Sequence, residues 1–71
     1  MYTSRVKIYD AGPYMVLSYG NGAAYEFTGE DRALFIQDEA ASEFREMLDL
    51  LADKYPTEDA LALMWDSYDA E

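Results

Sequence analysis

Apolar and polar positions change period once along this chain. From Tyr2 to Thr28 they alternate every second residue, and from Asp38 onward they recur at steps of three and four. The first period is that of a half-buried strand, the second that of an amphipathic helix. In Tyr2 to Tyr9, Ser4, Val6 and Ile8 point to one side and Arg5, Lys7 and Tyr9 to the other. Asp10-Ala11-Gly12-Pro13 predicts a turn, since glycine admits unusual backbone angles and proline sets φ. Tyr14 to Tyr19 predicts a second strand, with Met15, Leu17 and Tyr19 on one face. Asn21-Gly22 is the strongest hairpin signal, because a type I′ turn needs positive φ at both central residues. Ala23 to Thr28 follows, with Tyr25 and Phe27 on one face and Glu26 between them. These three segments predict an antiparallel meander.

Arg32 to Gln37 (RALFIQ) is short and apolar, which fits a fourth strand or a lead-in to a helix. The strand is favoured, because Asp38 is a good N-cap and starts the helix just after it. Asp38 to Tyr55 then carries the strongest helical period. Ala41, Phe44, Leu48, Leu51 and Tyr55 form one stripe. At about 100° per residue, Glu39, Glu43, Glu46, Asp49 and Asp53 fall on a band away from it, with Leu50 among them. Glu39 suits the positive end of the helix dipole and Lys54 the negative end. Pro56 stops the helix, since the residue before a proline avoids helical angles. Thr57 is the expected N-cap of a second helix, with Glu58 and Asp59 in its first turn and Leu61, Met64, Trp65 and Tyr68 on one face. The predicted fold is one small α+β domain over residues 1–71: a three- to four-stranded antiparallel sheet followed by two helices packed on one face, ββββαα.

Charge then separates the two halves. Of 15 acids and 5 bases, residues 38–71 hold eleven acids against Arg45 and Lys54, a net charge of −9 out of −10. General acidification, as in a high-salt cytoplasm, would load both halves, so the concentration favours a dedicated acidic face. Such a chain is repelled by bare nucleic acid and by anionic membrane, which leaves a basic protein surface as the natural partner. No apolar run nears the roughly 20 residues of a membrane span, and MYTSRVKIYD lacks the apolar middle of a signal peptide, so a cytoplasmic location is expected. With no cysteine, disulfides and thiolate metal sites are excluded.

Catalysis is not expected. There is no histidine and no cysteine, which removes the commonest general base and the most reactive nucleophile. Glu30-Asp31 and Asp38-Glu39 are carboxylate pairs, but they read as a turn and a helix start. Asp66 and Asp69 lack the alternating acidic pattern of a calcium loop. The glycines are turn residues, so no metal or cofactor is expected. Trp65 and Tyr68 could anchor a partner, although their helical spacing favours the core. What stands out is a rigid row of carboxylates, Glu39, Glu43, Glu46, Asp49 and Asp53, with Leu50 inside it and Glu58, Asp59, Asp66 and Asp69 extending it. Carboxylates on a helix can imitate the regular charge of nucleic acid.

In size, charge and layout over its whole length, this cysteine-free acidic α+β domain resembles the phage-encoded counter-defence proteins, above all anti-CRISPR proteins that act as DNA mimics. The resemblance implies a non-enzymatic inhibitor working in the host-cell cytoplasm. It would bind the basic, DNA-receiving surface of a CRISPR effector or another nucleic-acid-binding protein, through the acids named above. The alternative is a small structural or adaptor module, as a monomer or as a homodimer built on apolar residues and a sheet edge, its acidity serving solubility or a high-salt cytoplasm.

Overall fold

The computed structural model describes residues 5–20 and 22–69, the last of these without its side chain. Four strands, β1 (Arg5–Ala11), β2 (Tyr14–Tyr19), β3 (Ala24–Thr28) and β4 (Ala33–Gln37), form an antiparallel sheet in chain order. Two helices, α1 (Glu39–Lys54) and α2 (Thr57–Asp69), complete the expected ββββαα layout, with RALFIQ supplying the fourth strand. Tyr2, Ser4, Asn21 and the tail to Glu71 lie outside the described residues.

Both helices lie on the sheet face made by Tyr14, Val16, Tyr25, Phe27 and Ile36, whose alternation sends every second side chain inward. Phe44 and Leu48 of α1 and Leu61, Met64 and Trp65 of α2 fill that layer. Phe27 sits at its centre, 5.4 Å from the Phe44 ring and 5.1 Å from the Trp65 ring, the latter nearly perpendicular. Edge-to-face contact of this kind is what aromatic quadrupoles favour. The opposite face carries Met15, Leu17, Tyr19, Glu26 and Phe35, where the Tyr19 hydroxyl donates to Glu26 Oε1 at 2.6 Å.

Local geometry departs from the expected pattern at four points. In β1, Lys7 pairs with Leu17 and Tyr9 with Val16, so Ile8 is an extra residue in a bulge. The predicted alternation therefore fails at Tyr9, which packs against the core together with Ile8 and Ala11 instead of facing away from Ile8. The strand also continues to Ala11, which shortens the turn to Gly12-Pro13, with Gly12 at φ +59°. Asp38 occupies the N-cap position but makes no side-chain cap. A single residue turns the chain from β4 into α1, and the φ of +60° and ψ of −136° it adopts leave only its carbonyl to accept, from Ala41 N–H at 3.1 Å. Tyr55 leaves the buried stripe, because ahead of Pro56 it turns extended (φ −127°, ψ 158°) and stays exposed. At the second helix the carbonyl of Pro56, not Thr57, accepts the first bond, from Ala60 N–H at 2.9 Å, and Thr57 is already helical.

Candidate interaction surfaces

α1 leaves the β4 edge and by its third turn faces β1 at the opposite edge, where the Tyr9 hydroxyl lies 3.5 Å from Asp49 Oδ1. Ala41, Phe44 and Leu48 are buried beneath it, while Glu39, Glu43, Glu46, Leu50 and Asp53 are exposed. Helical phase places these five opposite the buried stripe. Asp49 does not join them. It sits on the flank, where Arg45 Nε donates to both its oxygens at 3.1 and 3.2 Å, and Arg45 Nη1 also reaches the Tyr25 hydroxyl at 3.4 Å. Burial, and then the negative charge of Asp49, raise the Tyr9 phenol above its ordinary pKa.

On α2, Asp59, Leu63 and Asp66 are exposed on the side away from Leu61 and Met64. Glu58 instead leans on the β1–β2 turn, where a Cβ on Gly12 would meet its Oε2 at 2.5 Å. The Asp69 side chain lies outside the described residues. The outward side of the two helices thus mixes carboxylates with Met47, Leu50 and Leu63, exposed by 51%, 55% and 43%. Between the helices, Ala40, Glu43, Met47, Met64, Ser67 and Tyr68 line a shallow groove of about 360 Å³. Of the three exposed apolar residues, sequence singles out only Leu50. Met47 and Leu63 border the buried stripes by helical phase, and only the placement of the neighbouring helix shows that they remain outside.

A second cluster forms at the end of the sheet, where the β3–β4 turn meets α2. The Tyr14 and Trp65 rings, 6.0 Å apart and exposed by only 8% and 7%, form the floor of a cavity of about 380 Å³. Glu30, Asp31 and Asp66 complete its lining. The Arg32 guanidinium carbon stands 5.7 Å from the Trp65 ring centroid, within cation–π range. Burial, and then the charges of Glu30, Asp66 and Glu58, raise the Tyr14 phenol pKa. Sequence places Glu30-Asp31 in a turn and Trp65 in the core, and the structure does too. No spacing in the chain joins residues 14, 30, 31, 65 and 66, so their meeting is legible only in the fold.

Among the described residues no group of three or more potential ligands is arranged to hold a metal ion, and no helix is long and apolar enough to cross a membrane. No protein-family model matches the chain, and no curated protein or solved structure matches it.

Proposed function

We propose that this protein is a non-enzymatic inhibitor that occupies the positively charged DNA-binding surface of a nucleic-acid-binding complex, in the manner of an anti-CRISPR DNA mimic. The observation that carries it is the band of Glu39, Glu43, Glu46 and Asp53, all exposed on the side of α1 opposite its buried stripe. None of the four has an ion pair or side-chain hydrogen bond among the described residues. From Glu39 to Asp53 the helix rises about 21 Å, most of the 31 Å length of the domain. The four carboxylates along that rise stand at about one per 5 Å. One strand of DNA carries one charge per 3.4 Å of axis and a duplex one per 1.7 Å. The face therefore matches a single backbone better than both, and a channel that holds one strand is the closer fit. Met47, Leu50 and Leu63 would add apolar contact that a purely solvated surface has no use for.

The test is the triple variant Glu39→Lys/Glu43→Lys/Glu46→Lys. A target captured from a lysate should lose its DNA when the parent protein is added and keep it when the variant is added, with both proteins unfolding at similar temperatures. Binding should weaken as salt rises, because steering by exposed charges is screened. Equal displacement of DNA by parent and variant sinks the proposal.

One observation favours the adaptor alternative. The five residues of β4 contain neither charge nor proline, Phe35 in its middle is half exposed, and among the described residues β4 pairs with β3 on one side only. Such an edge is a template for a second copy, whereas β1 is guarded by Arg5, Lys7, Asp10 and its bulge. A homodimer built on β4 sediments as a dimer in high salt and becomes a monomer on Phe35→Lys.

A further inference from the structure

We propose that the groove between α1 and α2 receives a basic amphipathic helix of a protein partner. The proposal rests on the helical-face reading for the acids of α1 and deepens it, by giving the positive surface they meet a shape. On α1, Ala40, Glu43, Met47 and Leu50 line two adjoining cavities of about 360 and 280 Å³, which share Glu43 and Met47. These four recur at steps of three, four and three, so they form a straight seam about 15 Å long. Met64, Ser67 and Tyr68 of α2 make the other wall, and Leu63, one turn before Ser67, is exposed too. Both banks are acidic at a seven-residue repeat: Glu39, Glu46 and Asp53 on α1, Asp59 and Asp66 on α2, all exposed. Among the described residues no lysine or arginine lines either cavity.

Charge and backbone chemistry select the occupant. Acids on both banks repel nucleic acid, anionic lipid and a second copy laid helix to helix. An extended peptide is excluded by hydrogen bonding, since the backbone groups of two helices are bonded within each helix and offer no ladder to pair with. Its spacing is wrong as well: same-face side chains of a strand recur about every 6.6 Å, against a mean of about 5 Å along the seam. A helix satisfies its own backbone and carries the same repeat, so its apolar residues interleave with Met47 and Leu50 along the whole seam. Lysines or arginines flanking that apolar stripe then recur every seven residues, about 10.5 Å apart, opposite the two acidic rows. Helices that enter the major groove of DNA carry basic residues of this kind, so a helix held here is withheld from DNA.

The probe is a fluorescein-labelled three-heptad peptide, blocked at both ends, with leucine at a and d, lysine at e and g and glutamine elsewhere. The whole chain is titrated into it at physiological ionic strength and anisotropy is followed. The expected result is saturable one-to-one binding. A peptide of the same composition, reordered to spread its leucines around the helix, should bind about tenfold more weakly or worse. Met47→Glu/Leu50→Glu makes the groove more negative yet should weaken binding by about tenfold, because the apolar seam is lost. Both side chains are half exposed, and circular dichroism checks that the variant is folded. Ala40→Trp, at an exposed position lining the groove, blocks it by bulk and should weaken binding similarly. Three results overturn the proposal: unchanged or tighter binding by the folded variants, equal affinity for the reordered peptide, or tighter binding of an alternating leucine-lysine peptide that forms strands. DNA displacement without peptide binding overturns the groove and leaves the charge band standing; peptide binding without displacement supports the groove and sinks only the inhibitor.

Discussion

Replacing Gly29 by alanine should unfold this domain well below its normal temperature, and the cause should be traceable to one ring. The φ of Gly29 lies outside the left-handed region, so its backbone does not require glycine. Space does: a Cβ built there falls under 3.0 Å from Cζ2, Cη2 and Cε2 of Trp65. Trp65 cannot retreat, because it is wedged against Phe27 at 5.1 Å and Tyr14 at 6.0 Å between ring centroids. Overpacking of this kind costs about 1–3 kcal/mol. At about 0.05–0.15 kcal/mol per residue, a chain of 71 residues holds only about 4–11 kcal/mol in total. With an unfolding entropy of about 2.1 cal/mol/K per residue, each kcal/mol lowers Tm by about 7 °C, so Gly29→Ala should fall by about 7–20 °C. Thermal and urea unfolding followed by circular dichroism measure it. Trp65→Phe removes the clashing ring atoms and leaves a cavity, so it destabilises by itself. In that background, however, Gly29→Ala should cost less than about 1 kcal/mol, a coupling that a double-mutant cycle reads directly. A Gly29→Ala protein that melts with the parent, or one equally impaired in both backgrounds, refutes the packing explanation.

Three further outcomes follow from the same geometry. Leu48→Ala, at a fully buried position, should cost about 2–5 kcal/mol, whereas Leu50→Ala, two residues on and 55% exposed, should stay within about 0.5 kcal/mol; urea titration compares them. Asp38→Gly should raise stability by about 1 kcal/mol, because relief of a positive-φ corner worth about 1–3 kcal/mol exceeds the entropy glycine adds to the unfolded chain. A lower urea midpoint for that variant would show the corner to be unstrained. Tyr9, Tyr14 and Tyr19 are all raised above their ordinary value of 10.0, the first two chiefly by burial and Tyr19 chiefly by its hydrogen bond to Glu26. The folded state then holds those protons longer than the unfolded state does. Their contribution is complete below pH 10 and is lost as pH climbs through the folded values. Melting temperature against pH, with phenolate absorbance recorded in parallel, should show a decline that begins above pH 10.

Inside each element, the order of residues was sufficient. Alternation in Ala24–Thr28 and the helical spacing of Ala41, Phe44 and Leu48 and of Leu61, Met64 and Trp65 marked a strand, both helices and much of the core, because a side chain's direction is set by local backbone period; in Tyr14–Tyr19 alternation marked the strand, but the buried face is that of Tyr14 and Val16, not of Met15, Leu17 and Tyr19. The acidic band on α1 was legible for the same reason. Where one element depends on another, that rule has nothing to say. The bulge at Ile8 arises from pairing with β2, and the strained corner at Asp38 from turning a strand into a helix within one residue, whereas the capture of Asp49 by Arg45, four residues apart on one helix, is local. The exposure of Met47 and Leu63 follows from how two helices lie against each other. The aromatic cavity gathers Tyr14, Glu30, Asp31, Trp65 and Asp66 from a strand, a turn and a helix. Periodicity records which way a residue faces along its own axis; which distant residue it faces depends on the register of the sheet and the packing of helices across it, and these are set by long-range burial rather than by neighbours in the chain.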